Sequence, residues 1–294
     1  MRNMSRRLLL LAVLPFLVPG CGDPKPKGKP VVAVTNSVLA DFVTQVAGPH
    51  AEVRVLVKPF DDPHRLTVTP DLTRAVAESW AVFYNGFGLE PWLDGLVKSA
   101  AGVHPLYLAT KGVPPVASEN GVDLDPHAWL DPTNAITYAE NARDMLIHLD
   151  PAHESEFREN ADRMIDQIRG VDAYIRTELE GIGQVRRYVL TPHDSLRHFG
   201  LRYGFTTRGL APEPVQATPA DVDAAIEWLS VKRIPSVFTE AGMDEEVMRT
   251  ISFKTGRRVV GPLWTDTLDA PGKPAGTYVG AMKENIGMLG TGLK

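Results

Sequence analysis

The sequence predicts an α/β protein of two lobes, each with a four-stranded, mainly parallel sheet flanked by helices, joined by one long rigid helix. Three observations carry this. Between 31 and 149, short β-branched or aromatic runs alternate with helix-period stretches, the pattern of a parallel βα unit. From Pro151 to about 182 an amphipathic stretch continues with no further proline, longer than one small α/β domain needs. The alternation then restarts, so four strands precede the long helix and four follow it.

Val31-Val-Ala-Val34 is the first buried strand, followed by a helix over 38–47 and a second strand over 51–57. The loop 58–69 carries His64, and Pro70 opens a helix. Trp80-Ala-Val-Phe-Tyr84 is the third strand, 90–100 a helix and 104–108 the fourth strand. The long loop 109–130 carries His127 and leads to a helix over 132–149, with Ile136, Ala139, Ala142 and Leu146 on one face.

The long helix is expected to start with Asp150 as N-cap and Pro151 in its first turn. Phe157, Ala161, Met164, Ile168, Val171, Ile175, Leu179 and Ile182 form its apolar stripe, and Gly170 weakens it locally. At 1.5 Å per residue it spans roughly 45 Å, enough for a strut between lobes. Beyond it, strands are expected over 187–191, 203–207, 236–239 and 258–260. Helices alternate with them from after His193 to 202, over 220–231 and over 245–255, and a last helix begins at Thr277. A Pro-rich loop fills 208–218, and the loop 261–276 carries Asp266. The expected organisation is therefore 31–150 as the first lobe, 151–183 as the linking helix and 184–294 as the second lobe.

Residues 1–20 form a targeting segment. Arg2, Arg6 and Arg7 make a positive start, 8–18 is an apolar run too short to span a bilayer, and Pro19-Gly20-Cys21 closes it. Cys21, the only cysteine, stands where a lipoprotein signal places its acylated residue, although a proline before the small residue is unusual. Ser5-Arg6-Arg7 also hints at twin-arginine export. The chain is expected outside the cytoplasm, in a periplasm or on a cell surface, tethered to the membrane by lipid on Cys21 through the flexible segment 21–30. One cysteine excludes an intramolecular disulfide. Removing residues 1–20 leaves 28 basic against 36 acidic residues. With no basic patch, nucleic acid is an unpromising partner.

Histidines follow proline in Asp62-Pro63-His64, Asp125-Pro126-His127 and Thr191-Pro192-His193, 63 and 66 residues apart. Each pair alone is an ordinary loop feature. Repeated in loops that leave strands, with proline fixing the backbone, they become pre-aimed imidazoles. Ligands of open parallel sheets bind beyond the carboxyl ends of the strands. His64, His127, His193 and Asp266 could therefore converge between the lobes, two from each. His50, His104, His148, His153 and His198 show no partner pattern and are expected to be structural or solvated. Trp92, Trp129 and Trp264 are expected to pack the core or the cleft wall.

With these residues assembled, the chain resembles the zinc- and manganese-binding solute-binding lipoproteins of ABC transporters, some of which are called adhesins. The blocks that carry the resemblance span nearly the whole mature chain. They are Asp62-Pro-His-Arg-Leu-Thr-Val-Thr-Pro-Asp71, Val82-Phe-Tyr-Asn-Gly-Phe-Gly-Leu-Glu-Pro-Trp92 and Asp125-Pro-His-Ala-Trp-Leu-Asp-Pro-Thr-Asn-Ala135. Thr191-Pro-His-Asp194, Phe238-Thr-Glu240 and Gly261-Pro-Leu-Trp-Thr-Asp-Thr-Leu268 complete them. The resemblance implies two α/β lobes with the metal between them and ligand positions at His64, His127, His193 and Asp266. It also implies delivery of the ion to a membrane permease, with a monomeric binding protein expected. Many zinc-specific members carry a His-rich acidic loop, whereas 109–125 has no histidine here. The third ligand position is glutamate in many manganese members and is His193 here.

Three imidazoles and one carboxylate suit tetrahedral Zn²⁺, while bidentate Asp266 would leave five-coordinate Mn²⁺ open. Asp62, Asp125, Asp194 and Glu240 are candidates to accept the second ring N–H of the ligating imidazoles, and Asp194 could instead cap the following helix. A closed four-ligand shell leaves no position for an activated water, so turnover is not expected. A secreted metallohydrolase is the competing class. His193-Asp194-Ser195 cannot form a relay from adjacent residues, and neither H-E-x-x-H nor G-x-S-x-G occurs. A surface adhesin is a third class, with no recognisable adhesive surface in the sequence.

Overall fold

The structure, a computed structural model, describes residues 28–211 and 217–294. The targeting segment, Cys21, most of the tether and residues 212–216 of the Pro-rich loop lie outside the described residues. Among those described, no helix is long and apolar enough to cross a membrane.

The first half alternates strands and helices: β1 (Val31–Val34), α1 (Ser37–Ala47), β2 (Glu52–Val55), α2 (Pro70–Ala77), β3 (Ala81–Tyr84), α3 (Leu93–Ser99) and β4 (Leu106–Leu108). All pairings are parallel, in the order β2-β1-β3-β4. The sequence sets the helix starts. Asn36 accepts the Leu39 N–H at α1, and Thr69 accepts that of Leu72 at α2, with Pro70 in its first turn. Helix α4 (Pro132–Leu149) begins the same way, with Asp131 accepting from Thr133.

The strut α5 (Glu154–Leu179) is 26 residues, or about 39 Å at 1.5 Å each. It starts later than the sequence predicts. Asp150 does not cap it, because its carboxylate instead takes the ring Nδ1 of His153 at 2.6 Å, across a 3₁₀ turn Pro151–His153. It also stops at Leu179, short of the expected 183. There Arg187 donates to the carbonyls of Leu179, Ile182 and Tyr203, satisfying the helix end from outside. The expected stripe from Phe157 to Leu179 is buried. Each such side chain contributes about 1.5–3 kcal/mol against exposure.

The second half contains β5 (Tyr188–His193), α6 (Arg197–Tyr203), β6 (Thr206–Ala211), α7 (Pro219–Lys232), β7 (Ser236–Glu240), α8 (Glu246–Thr255), β8 (Arg258–Leu263) and α9 (Tyr278–Leu293). Its strands are parallel, as expected, but pair as two ladders, β5–β6 and β7–β8, instead of one four-stranded sheet. β5 lies beside β7. Pro192 offers no N–H to a ladder there, and the His193 N–H turns to the Glu240 side chain at 3.3 Å. The expected strand over 203–207 also moves. Tyr203 ends α6 and donates its hydroxyl to Asp172 at 2.7 Å, and Gly204, at φ 73°, stops the helix.

One apolar core joins both halves. It runs from Val32 and Phe42 through Trp129, Tyr138, Phe157 and Ile168 to Phe238, Tyr278 and Leu289. Helix α5 packs against α1, α4 and α9 inside it. Two smaller cores cover the outer faces: one around Leu56, Val76 and Leu96, the other around Leu190, Leu229 and Ile251. Strands covered on both faces explain the unbroken apolar runs. Gly209 on β6 sits under the end of β5, where a Cβ would lie 2.4 Å from the Asp194 nitrogen and 2.7 Å from the His193 carbonyl carbon. Only glycine lets the chain turn there after His193.

Candidate metal centre

Each of the four sequence-predicted residues is held by its own segment, three in loops and His193 at the end of β5. In the loop after β2, Asp62 accepts the His64 N–H at 2.8 Å, and the Trp92 indole donates to Pro63 O at 2.8 Å. Before α4, Asp125 Oδ1 accepts both the His127 N–H at 3.0 Å and its ring Nδ1 at 2.6 Å. Asn85 donates to Pro126 O at 2.9 Å, fixing the proline beside it. His193 ends β5 and gives Nδ1 to Glu240 Oε2, 2.8 Å away on β7. The Asp266 loop is stitched to the first half: Trp129 Nε1 donates to Thr265 O at 2.9 Å, and Leu268 N to Ser37 Oγ at 2.9 Å.

These loops bring all four side chains together, with exposures of 9%, 1%, 2% and 6% for His64, His127, His193 and Asp266. His127 Nε2 lies 3.3 Å from His64 Nε2 and 3.2 Å from His193 Nε2. Asp266 Oδ1 is 3.1 Å from His127 Nε2, while Oδ2 is 3.1 Å from His193 Nε2 and 4.0 Å from His64 Nε2. A tetrahedral ion with bonds of ~2.0–2.1 Å needs ligand–ligand edges of roughly 3.3–3.4 Å. The cluster has that size. Buried Asp266 Oδ1 makes no directed hydrogen bond despite its 3.1 Å approach to His127, which suits an oxygen aimed at a cation. With Nδ1 of His127 and His193 on carboxylates, their Nε2 lone pairs are the ones offered inward.

Charge in the pocket is strongly organised. Burial opposes a charge on His127, but Asp266 and Asp125 outweigh it and raise its pKa to about 10. Burial likewise opposes charge on His193, and Glu240 and Asp266 still lift it well above the ordinary value. Asp266 is pulled well below the carboxylate range, burial notwithstanding, by His193 and His127. His64 goes the other way, to about 3: burial drives it down, Asp266 pulls back, and the charges on His127 and His193 add to the fall.

The carboxylates divide by role. Asp125 and Glu240 accept ring nitrogens, as expected of orienting groups. Asp62 instead holds the His64 backbone. Asp194 neither orients a ring nor caps α6; its Oδ2 accepts the Glu119 N–H at 2.8 Å, and the Gly209 N–H donates to Glu119 Oε2 at 3.2 Å. Loop 117–124 is thereby strapped across to the second half. It borders a cavity of about 840 Å³ beside His64 and His127, whose acidic lining includes Asp123 and Asp194. His198, expected to be structural or solvated, is buried with Nε2 3.3 Å from Asp125 O and 3.9 Å from its Oδ2. Asp125→Asn or Glu240→Gln is expected to weaken metal binding roughly 10–100-fold, checked by chelator competition.

A parallel α/β fold in two halves bridged by one helix, with a buried three-histidine, one-carboxylate pocket between them, defines the class: a solute-binding receptor for a metal ion. The sequence model of the family described as "Zinc-uptake complex component A periplasmic" matches residues 32–292, and the chain belongs to that family. It is 28% identical over 292 residues to the manganese-binding lipoprotein MntA of Halalkalibacterium halodurans, covering 97% of each chain. It is 29% identical to the iron-binding protein YfeA of Yersinia pestis, over 89% of this chain and 85% of that one. The periplasmic zinc-binding protein TroA of Treponema pallidum shares the fold, with a TM-score of 0.86 at 24% identity over 90% of this chain and 99% of that one. The chain is the substrate-binding component of a metal ABC transporter and not an enzyme, which sets the metallohydrolase reading aside.

Proposed function

We propose that this protein captures Zn²⁺ outside the cytoplasm through His64, His127, His193 and Asp266 and hands it to an ABC-type permease for import. The observation that carries the reading is the set of donor separations, 3.1–3.3 Å for four of the contacts, around which two imidazoles are oriented by carboxylates. Three nitrogens and one oxygen favour the borderline cation over harder Mn²⁺. The protein acts as a monomer, tethered by lipid on Cys21 and the segment 21–30, with 31–150 and 184–294 as lobes about the linking helix. The word lipoprotein in the names of relatives supports that anchor.

One observation favours Mn²⁺ as a second reading. Both oxygens of Asp266 face the imidazoles, each 3.1 Å from one of them, so a bidentate carboxylate and five-coordination are within reach. Elemental analysis of protein purified from its own cell envelope, paired with zinc and manganese titrations of the stripped form, separates the two. Tight one-to-one zinc binding with weaker manganese binding is expected, and manganese in the purified protein with no zinc preference overturns the zinc assignment. A Cys21→Ala protein that stayed with the membrane fraction would remove the anchor.

A further inference from the structure

A second group of metal-ligating side chains lies far from the interlobe pocket. His50, His153 and Glu156 each bring one ligand atom within 4.8 Å of the others. His50 closes the 3₁₀ turn Gly48–His50 behind α1 and follows Pro49, a fourth Pro–His pair in the chain. His153 and Glu156 stand at the start of α5. The His50 and His153 rings stack at 3.8 Å between centroids, and His50 Nε2 lies 2.6 Å from Glu156 Oε2. Helix α1 separates the two groups. Its first residue, Ser37, bonds Leu268 two residues past Asp266, while its far end leads to His50. Eleven residues of helix put them about 17 Å apart.

We propose that His50, His153 and Glu156 form a second, weaker site for a divalent transition metal of the imidazole-preferring kind, Zn²⁺ or Cu²⁺. The arrangement repeats the logic of the buried pocket with fewer ligands. Asp150 Oδ2 holds Nδ1 of His153 at 2.6 Å, which fixes the tautomer and frees Nε2 to bind, as Asp125 does for His127. The joint beneath is firm: Phe157 is fully buried against both rings, and Asn160 donates to Val46 O at 2.9 Å. The ligands remain open to water, with side-chain exposures of 20%, 37% and 52% for His50, His153 and Glu156. Water completes the coordination, and two imidazoles exclude Mg²⁺ and Ca²⁺ as preferred ions. A bound ion would tie the end of α1 to the start of α5, the joint on which the first half meets the strut.

The test is a calorimetric Zn²⁺ titration of the full mature chain, stripped of metal, with circular dichroism confirming the fold of every variant. Two sets of sites are expected, one equivalent each, the second about 10²–10³-fold weaker for want of one ligand and of burial. His50→Ala and His153→Ala each abolish the second set and leave the first, Glu156→Gln weakens it about 10-fold, and His127→Ala weakens the first set alone. Saturation of the wild type at one equivalent up to millimolar zinc overturns the proposal. So does a second equivalent that persists in both His50→Ala and His153→Ala.

Discussion

Replacing His127 by alanine is expected to weaken zinc binding on the order of 10²–10³-fold while the chain stays folded. Four-ligand zinc sites bind with apparent energies of ~10–16 kcal/mol, so one ligand of four accounts for roughly 2.5–4 kcal/mol. His127 is the ligand to test because its Nε2 lies within 3.3 Å of three of the other donor atoms, one from each remaining residue. The fold survives because the apolar core is built elsewhere, around α1, α4, α5 and α9. The metal-free variant is nonetheless expected to be less stable, since Asp125 and Asp266 lose a buried partner. Chelator competition with circular dichroism on the same sample checks both points, and a folded variant with unchanged zinc affinity would remove His127 from the site.

The second large effect is on protons. His127, with a pKa of about 10, is cationic at neutral pH in the metal-free protein, and His193 is shifted in the same direction by Glu240 and Asp266 against its burial. The extra proton of His127 must leave Nε2 before a cation can bind, whereas His64, at about 3, has no extra proton to lose. Binding is therefore expected to release at least one proton per ion, and log affinity to climb by about one or more per pH unit from 7 to 8.5. Ordinary imidazoles, titrating near 6.5, would give a flat profile over that range. The sign for stability follows. The raised His127 contributes to the metal-free fold fully below about 6.5, and that contribution is lost as pH rises towards about 10. The gain in Tm on adding zinc should therefore widen with pH. Calorimetry in buffers of different ionisation enthalpy counts the protons, and release near zero at pH 8 would contradict the charge pattern.

Much of this was legible in the chain, because the signals were local. Proline before three histidines, caps such as Thr69 before Pro70 and Asp131 before Pro132, and the apolar stripe of α5 each depend on neighbours a few residues away. What sequence reading missed depends on distant partners. Arg187 reaches back to end α5, and the His193 amide turns to the Glu240 side chain 47 positions away. The roles of Asp62 and Asp194 could not be separated from those of Asp125 and Glu240 by spacing, since only the direction each carboxylate faces tells them apart. His198 and the His50–His153 stack were passed over for the same reason: their partners lie on other elements.

A largest core that runs from Val32 to Leu293 through both halves has a thermodynamic consequence. Neither half possesses a complete inside of its own, because α5 contributes to the packing of both. The molecule is thus expected to melt as one cooperative unit in a single calorimetric endotherm, and a fragment ending at residue 150 would be left with its α5-facing surface bare.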